Sequence, residues 1–308
     1  MSNGNPGDSG LSKNQKRDAA REKARLLREE QKKKERRTRF ILQGSIVLAL
    51  VAVVAIVAVV LLSSAAPSGP GPKNMASDGI QITQGGIATE TPALKAGQDP
   101  IPNTRDEAAG TIDIQMYVDY LCPYCGQFEA TNGDYISSLL ENGKTTVEIH
   151  PIAILDSLAQ GSKYSTRATN AAACVANYSP NQFYDFHNLL FANQPAENTA
   201  GLGDDQLIDL TTQAGVDDAD KISSCIKSQE FKKWVADSRA RALNGPIPNS
   251  NVEQVKGTPT VIVNGKKYDG TVSDLASFQA FVIQAAGSDF NENSTPTPTP
   301  SPTPTPAS

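Results

Sequence analysis

An uncharged run of 22 residues, 41–62, constrains this chain more than any other feature of its sequence. As a helix rising about 1.5 Å per residue, it would extend about 33 Å, enough to cross the hydrocarbon core of a membrane. A cleaved signal peptide is the main alternative, but signals have apolar stretches of about 7–15 residues, and here 39 residues precede the anchor. The sequence therefore predicts a transmembrane anchor over 40–62.

Charge is distributed unevenly around this run. Residues 1–39 contain 13 Lys and Arg against 6 Asp and Glu, whereas the rest of the chain contains 15 against 27. Because positively charged flanks stay in the cytoplasm, we expect 1–39 to be a basic cytoplasmic segment and everything after the anchor to be extracytoplasmic. The formal net charge is -5 and the basic residues are confined to one end, which argues against a nucleic-acid-binding protein.

One folded domain is expected after the anchor, between two segments of low complexity. Residues 63–76 are rich in Ser, Gly and Pro, which is typical of a flexible linker. Residues 289–308 end in alternating Thr and Pro, which bury no apolar surface and favour an extended chain. We expect a disordered tail here, with a glycosylated stalk or a wall-spanning spacer as the alternatives. The remaining part, 77–288, has the length of a single domain.

Hydrophobic periodicity indicates a mixed α/β order for this domain. The predicted elements are a strand at 111–119, a helix from about Cys122 that ends before Gly143, a strand at 145–154, helices only over 160–245, a hairpin of 260–263 and 266–268 around Asn264-Gly265, and a closing helix from Ser273 or Asp274. The first strand, the helix and the second strand form a βαβ unit, so we expect those two strands to be parallel.

The motif Cys122-Pro123-Tyr124-Cys125 lies where the first strand ends and the helix begins. The first turn of a helix has unpaired N–H groups and a positive dipole end, which stabilise a thiolate, and Pro123 suits that turn because it has no N–H group. Cys122 is then the candidate nucleophile, and Cys125 the thiol that resolves a mixed disulfide. Half of a zinc site and a purely structural disulfide are the alternatives, but the other cysteines and histidines lack ligand-pair spacing, so no metal is expected.

The sequence combines three features: the CPYC motif after a strand, the run Gly257-Thr258-Pro259-Thr260 before the hairpin, and the helical block between them. In these features the chain resembles the DsbA-like thioredoxin-fold oxidoreductases, in particular membrane-anchored members of the Gram-positive and actinobacterial type. The resemblance covers about 100–287. It implies an α/β thioredoxin fold with an inserted all-helical subdomain, preceded by one transmembrane helix. It also implies that Cys122 is the nucleophile, that Cys125 is its partner, and that Pro259 is a cis-proline facing them. Thr258 would offer backbone hydrogen bonds to an extended substrate, and a trans proline in an ordinary turn is the alternative.

Three more residues near the motif are candidates for roles in the site. Pro123 and Tyr124 are candidates for substrate contact, although aromatic packing explains the tyrosine equally well. Thioredoxins carry a buried acid six residues before the first cysteine, where this chain has Met116. Asp119 is a candidate substitute for proton transfer, and an exposed aspartate at the end of the strand is an equal alternative.

The remaining cysteines, Cys174 and Cys225, lie in the predicted helical insertion. Because thiols outside the membrane tend to be oxidised, we expect a structural disulfide between them, with two free buried thiols as the alternative. Closing a loop of about 50 residues would raise the free energy of unfolding by about 4 kcal/mol in the chain-entropy model.

Together these features predict an extracytoplasmic thiol–disulfide oxidoreductase, anchored in the cell membrane through 41–62, that oxidises cysteines of secreted polypeptides. Its expected partners are those polypeptides and a membrane protein that re-oxidises the Cys122–Cys125 pair, and no cofactor or nucleic acid is expected. Oxidation is favoured by the family resemblance, by the compartment and by a stabilised thiolate, which raises the reduction potential. A reductase or isomerase of the same fold, and a non-enzymatic thioredoxin-like binding domain, are the alternatives.

Overall fold

The computed structural model describes residues 69–105 and 110–293. The predicted basic segment 1–39, the anchor 40–62 and most of the tail 289–308 lie outside these residues. Within the two described ranges, no helix is both long enough and apolar enough to cross a membrane.

The described residues form a mixed α/β fold. The strands are β1 (Ile80–Ile82), β2 (Ile112–Val118), β3 (Thr145–Pro151), β4 (Thr260–Val263) and β5 (Lys266–Lys267). The helices are α1 (Pro123–Glu141), α2 (Tyr164–Tyr178), α3 (Phe183–Ala192), α4 (Asp204–Gln213), α5 (Ala219–Ser228), α6 (Lys232–Asn244) and α7 (Leu275–Asn293). The predicted order is therefore confirmed, namely a βαβ unit, a helical insertion, two strands and a closing helix.

The five strands form one sheet in the order β1-β3-β2-β4-β5. β2 and β3 are parallel, with Ile114 opposite Val147, which confirms the predicted βαβ unit. β4 is antiparallel to β2, and Tyr117 pairs with Thr260 near the end of β2 where the cysteine motif follows. This pairing brings the start of β4, more than 130 residues further along the chain, next to the motif.

Side chains alternate between the two faces of β2 as expected for a strand. Ile114, Met116 and Val118 belong to the main apolar core, which also contains Phe128 of α1. Tyr117 belongs to a smaller apolar cluster with five other buried residues: Ile152, Ala242, Ile247, Val255 and Ile262. The motif thus continues from a strand that is covered on both faces.

The predicted strand 145–154 is shorter in the structure, because β3 ends at Pro151. Ile152 still donates its N–H to the carbonyl oxygen of Val118 at 2.8 Å. The N–H groups of Ile154 and Leu155 then turn to the carboxylate of Asp119, at 2.8 and 2.9 Å. A buried carboxylate therefore replaces the strand ladder as the hydrogen-bond acceptor.

The helical insertion contains the disulfide that the sequence analysis expects. Cys174 of α2 and Cys225 of α5 are bonded, with their Cα atoms 5.9 Å apart, and both are buried in the main core. The bond joins two helices that also pack against each other.

The fold includes residues before 77, although the sequence predicts a linker over 63–76. Met75 is fully buried in the main core. The Asn74 side chain donates from Nδ2 to the carbonyl oxygen of Ala176 in α2 at 2.8 Å. β1 follows directly and pairs antiparallel with β3. The last residues of the predicted linker therefore pack against the insertion.

Candidate active site

Cys122 is the N-cap residue of α1. Its backbone is still extended, and the helix begins at the next residue, Pro123. In the structure Cys122 and Cys125 are free thiols, and both are buried. The carbonyl oxygen of Cys122 accepts the N–H groups of Cys125 at 3.0 Å and Gly126 at 3.2 Å, so the motif forms the first turn of the helix. Tyr124 is 61% exposed beside the pair.

The two thiols differ in acidity. The pKa of Cys122 is lowered to about 6, first because the Cys125 thiol donates a hydrogen bond to its sulfur, and also because the N–H groups of Cys125 and Tyr124 point at it. Burial raises the pKa of Cys125 well above its usual value, and the adjacent Cys122 raises it further. Cys122 is thus a thiolate at neutral pH, and Cys125 holds its proton.

The loop before β4 lies against the attacking sulfur. The Thr258–Pro259 peptide bond is cis, as expected from the resemblance. The Cys122 Sγ lies 3.2 Å from the carbonyl oxygen of Thr258, to which the thiol donates when protonated. Thr258 and Pro259 also line an open groove of about 600 Å³ that runs along this loop. The Pro259 side chain is half-buried, so an extended chain in the groove could reach Cys122.

Asp119 is not the exposed strand-end aspartate that the sequence analysis kept as one alternative, because it is fully buried. Oδ1 accepts the N–H of Leu121 at 2.9 Å and the hydroxyl of Ser165 at 2.8 Å. Oδ2 accepts the N–H groups of Ile154 and Leu155. Burial raises the pKa of Asp119, and these four hydrogen bonds oppose the rise. The carboxylate thus connects the motif to the loop after β3 and to the first turn of α2.

Gln194 is a site residue that sequence reasoning missed. It follows α3 in the insertion, and its Nε2 donates to the carbonyl oxygens of Cys122 at 2.8 Å and Tyr120 at 3.2 Å. A Cβ atom on Gly126 would lie 2.3 Å from Gln194 Oε1, so glycine is required there for the side chain to stay in place. The glycine after the motif is the single sequence signal of this contact.

The two histidines lie in buried hydrogen-bond and aromatic networks. His187 is fully buried in α3, with Nδ1 3.2 Å from the hydroxyl of Tyr120 and Nε2 3.2 Å from Oε1 of Glu129. His150 stacks on Tyr117 with ring centroids 4.3 Å apart. Across 69–105 and 110–293, no group of three or more His, Cys, Asp or Glu residues has an arrangement that could hold a metal ion.

A family model described as thioredoxin matches residues 106–283. The chain belongs to the thioredoxin family. This thioredoxin-family chain is 32% identical to the reduced disulfide bond oxidoreductase DsbG of Mycobacterium tuberculosis, over 71% of this chain and 93% of that one, with a TM-score of 0.51. It is 33% identical to oxidised DsbA of the same organism, over 68% and 93% of the two chains, with a TM-score of 0.50. It is therefore a DsbA-like protein, and its enzyme class is protein thiol–disulfide oxidoreductase.

The thioredoxin-family region also matches part of longer curated proteins. It is 27% identical over 199 residues to Na(+)/H(+) antiporter NhaA 3 of Salinispora tropica, covering 61% of this chain and 26% of that protein. The chain thus spans about a quarter of the length of the curated relatives that it matches.

Proposed function

We propose that this enzyme oxidises pairs of cysteines in secreted polypeptides, outside the cell membrane, through Cys122 and Cys125. The observation that carries the proposal is the position of the free Cys122 thiol at the N-terminus of α1, 3.2 Å from the carbonyl oxygen of Thr258 and beside Cys125. These surroundings lower the pKa of Cys122 to about 6, and burial raises that of Cys125. A stabilised thiolate favours the reduced form of the pair, which makes its disulfide a stronger oxidant.

The reaction has two exchange steps. A substrate thiolate attacks Sγ of Cys122 in the Cys122–Cys125 disulfide, and Cys125 leaves as a thiolate that takes up a proton because its pKa is high. A second substrate thiolate then attacks the substrate sulfur of the mixed disulfide and releases the thiolate of Cys122. The substrate loses two electrons and two protons, of which one proton rests on Cys125 and the other passes to solvent.

Substrate binding is proposed for the groove along the loop before β4. Thr258 and Pro259 line it, and the carbonyl oxygen of Thr258 lies 3.2 Å from Sγ of Cys122. Pro123 and Tyr124 follow Cys122 in the chain and are exposed. A substrate lying extended here would present its cysteine to Cys122, while backbone groups of Thr258 could pair with the substrate main chain.

The pair must be returned to the disulfide for a second cycle. We propose that a membrane protein accepts its two electrons, because the sequence predicts an anchor at 40–62 with the domain after it. An impermeant thiol reagent applied to intact cells tests the location. It labels reduced Cys122 if the domain is outside, and labels it only after lysis if the domain is cytoplasmic.

Oxidative refolding of reduced ribonuclease A tests the direction of the reaction. The full chain in non-ionic detergent, with its motif oxidised, is expected to speed disulfide formation, and Cys122→Ala is expected to abolish the effect. Cys125→Ala is expected to accumulate mixed disulfides with the substrate, since the resolving thiol is missing. A reductase would instead be indicated by the absence of acceleration together with a reduction potential of about -270 mV, which is the value of thioredoxin.

A further inference from the structure

A second groove, of about 460 Å³, opens between the loop after β3 and the N-terminal ends of α2 and α6. Ile154 lines it on the side of the loop, and Lys163 lines it just before α2 begins. Lys232, Val235 and Arg239 line it from α6, where their spacing places them on one face of the helix. We call this the basic groove.

Within the described residues, the cations of the basic groove have no acidic partner. Lys163, Lys232 and Arg239 are exposed, and none of them forms an ion pair with another described residue. Asp156, the one acidic side chain in the lining, already accepts the N–H and the hydroxyl of Thr166 at 2.9 and 2.7 Å. Among the described lining residues, three cations without an ion-pair partner therefore share the groove with one hydrogen-bonded carboxylate, on a chain that is net acidic after residue 39.

Two helix ends add to the positive potential of the basic groove. α2 begins at Tyr164, directly after Lys163, and α6 begins at Lys232. The N-terminus of a helix carries a partial positive charge from its unpaired N–H groups, and it attracts anions. The partial charges of the two helix N-termini and the charges of the three side chains are thus all positive in the basic groove.

The basic groove adjoins the active site through Asp119. Its carboxylate accepts the N–H of Ile154, in the groove lining, and the hydroxyl of Ser165, two residues after Lys163. Its carbonyl oxygen accepts the N–H of Cys122 at 2.9 Å. Asp119 and Cys122 are three positions apart in the chain, which is about 11 Å at full extension, so a peptide bound at Cys122 reaches the groove within a few residues.

We propose that the basic groove binds an acidic segment of the polypeptide whose cysteine reacts with Cys122. The inference rests on the proposed function and adds a substrate class to it, cysteine-containing chains with Asp or Glu a few residues from the reactive thiol. An extended peptide fits an open channel, and its carboxylates meet Lys163, Lys232 and Arg239. Complementary charge of this kind acts mainly on the rate of encounter and on the choice of partner.

The test compares three synthetic peptides with two cysteines each, flanked on both sides by acidic, neutral or basic residues at three to six positions from the first thiol. Their oxidation by the full chain in non-ionic detergent is followed by stopped flow at low and high salt. We expect the acidic peptide to react about tenfold faster than the neutral one at low ionic strength, and the advantage to shrink at 0.5 M salt, as screening requires.

The variant Lys163→Gln, Lys232→Gln, Arg239→Gln is expected to reduce the ratio of acidic to neutral rates to about one. Its matched control is Lys73→Gln, Lys95→Gln, Lys144→Gln, which removes the same charge from exposed positions outside the basic groove and is expected to keep the preference. Equal rates for acidic and neutral peptides, or equal losses in both variants, would overturn the proposal.

A cysteine-free acidic peptide, with Ser in place of each Cys, separates this inference from the proposed function. Binding by fluorescence anisotropy that is lost in the groove variant, without oxidation of any peptide, would support the groove and reject the oxidase. Groove-dependent binding to phosphatidylglycerol vesicles, with the acidic peptide oxidised equally fast by both variants, would overturn the proposal in favour of a lipid surface.

Discussion

Substitution of Cys125 tests the electrostatic basis of the reaction most directly. The hydrogen bond from the Cys125 thiol is the largest cause of the lowered pKa of Cys122, from 9.0 to about 6. Cys125→Ala removes this donor, whereas Cys125→Ser replaces it with a hydroxyl of similar size. We therefore expect the pKa of Cys122 to rise toward its ordinary value in the alanine variant, and to stay lower in the serine variant.

The size of the effect follows from the titration itself. With a pKa of about 6, about 90% of Cys122 is thiolate at pH 7, against about 1% at the ordinary value of 9.0. The shift stabilises the reduced pair at pH 7 by at most about 1.4 kcal/mol, which is about 30 mV for two electrons. Because the pKa is lowered, this stabilisation is complete above about pH 9 and disappears as the pH falls through about 6.

Thiolate absorbance at 240 nm and the pH dependence of iodoacetamide alkylation measure the pKa. In both variants Cys122 is the single titrating thiol, because Cys174 and Cys225 are bonded to each other. A pKa near 6 in Cys125→Ala, equal to that of Cys125→Ser, would refute the reasoning, since the helix N-terminus would then be sufficient without the second thiol. A pKa near 9 in the unaltered chain would refute it outright.

Three further experiments test the contacts around the site and the disulfide of the insertion. Gln194→Ala should lower the free energy of unfolding by about 1–2 kcal/mol in urea titrations, because two hydrogen bonds are lost. Gly126→Ala should cost less, because the added methyl group displaces only the flexible end of Gln194 and alanine favours the helix over glycine by about 1 kcal/mol. In a Gln194→Ala background Gly126→Ala should therefore be more favourable than in the unaltered chain, and strict additivity would contradict the contact. Asp119→Ala should cost at least about 3 kcal/mol in the same assay, because it leaves buried donors unpaired; a loss of exchange activity without loss of stability would point to proton transfer instead. Replacing Cys174 and Cys225 by Ala should lower the free energy of unfolding by about 4 kcal/mol, since a separation of 51 residues is no longer cross-linked; an unchanged thermal midpoint would contradict the chain-entropy account.

The order of the elements could be read from the sequence because the signals involved are local. Alternation over 111–119 and the apolar stripe after Cys122 each reflect a repeat of two or 3.6 residues, and β2 and α1 occur where these repeats predict them. The sequence did not predict β1, because Ile80–Ile82 is too short to show a repeat. It is a strand only because it pairs with β3.

The surroundings of the motif could be predicted only in part. The cis peptide bond at Pro259 was expected from the resemblance, and the structure places it against Cys122. The burial of Asp119 depends on Ser165, 46 residues away, and on the loop after β3. Gln194 is 72 residues from Cys122 and belongs to no motif. Such contacts follow from how the insertion packs on the sheet, which no local pattern encodes.

The sequence by itself determined that a reactive cysteine pair lies at the start of a helix, after a strand, and that two more cysteines are available for a cross-link. These properties depend on neighbours a few residues apart, which the chain holds close before it folds. Only the tertiary structure decided which distant groups surround the sulfur, and that Lys163, Lys232 and Arg239 line one groove. Packing sets those distances, because the burial of apolar side chains fixes the helices and strands relative to one another. The positions of the polar side chains on those helices and strands follow from that arrangement.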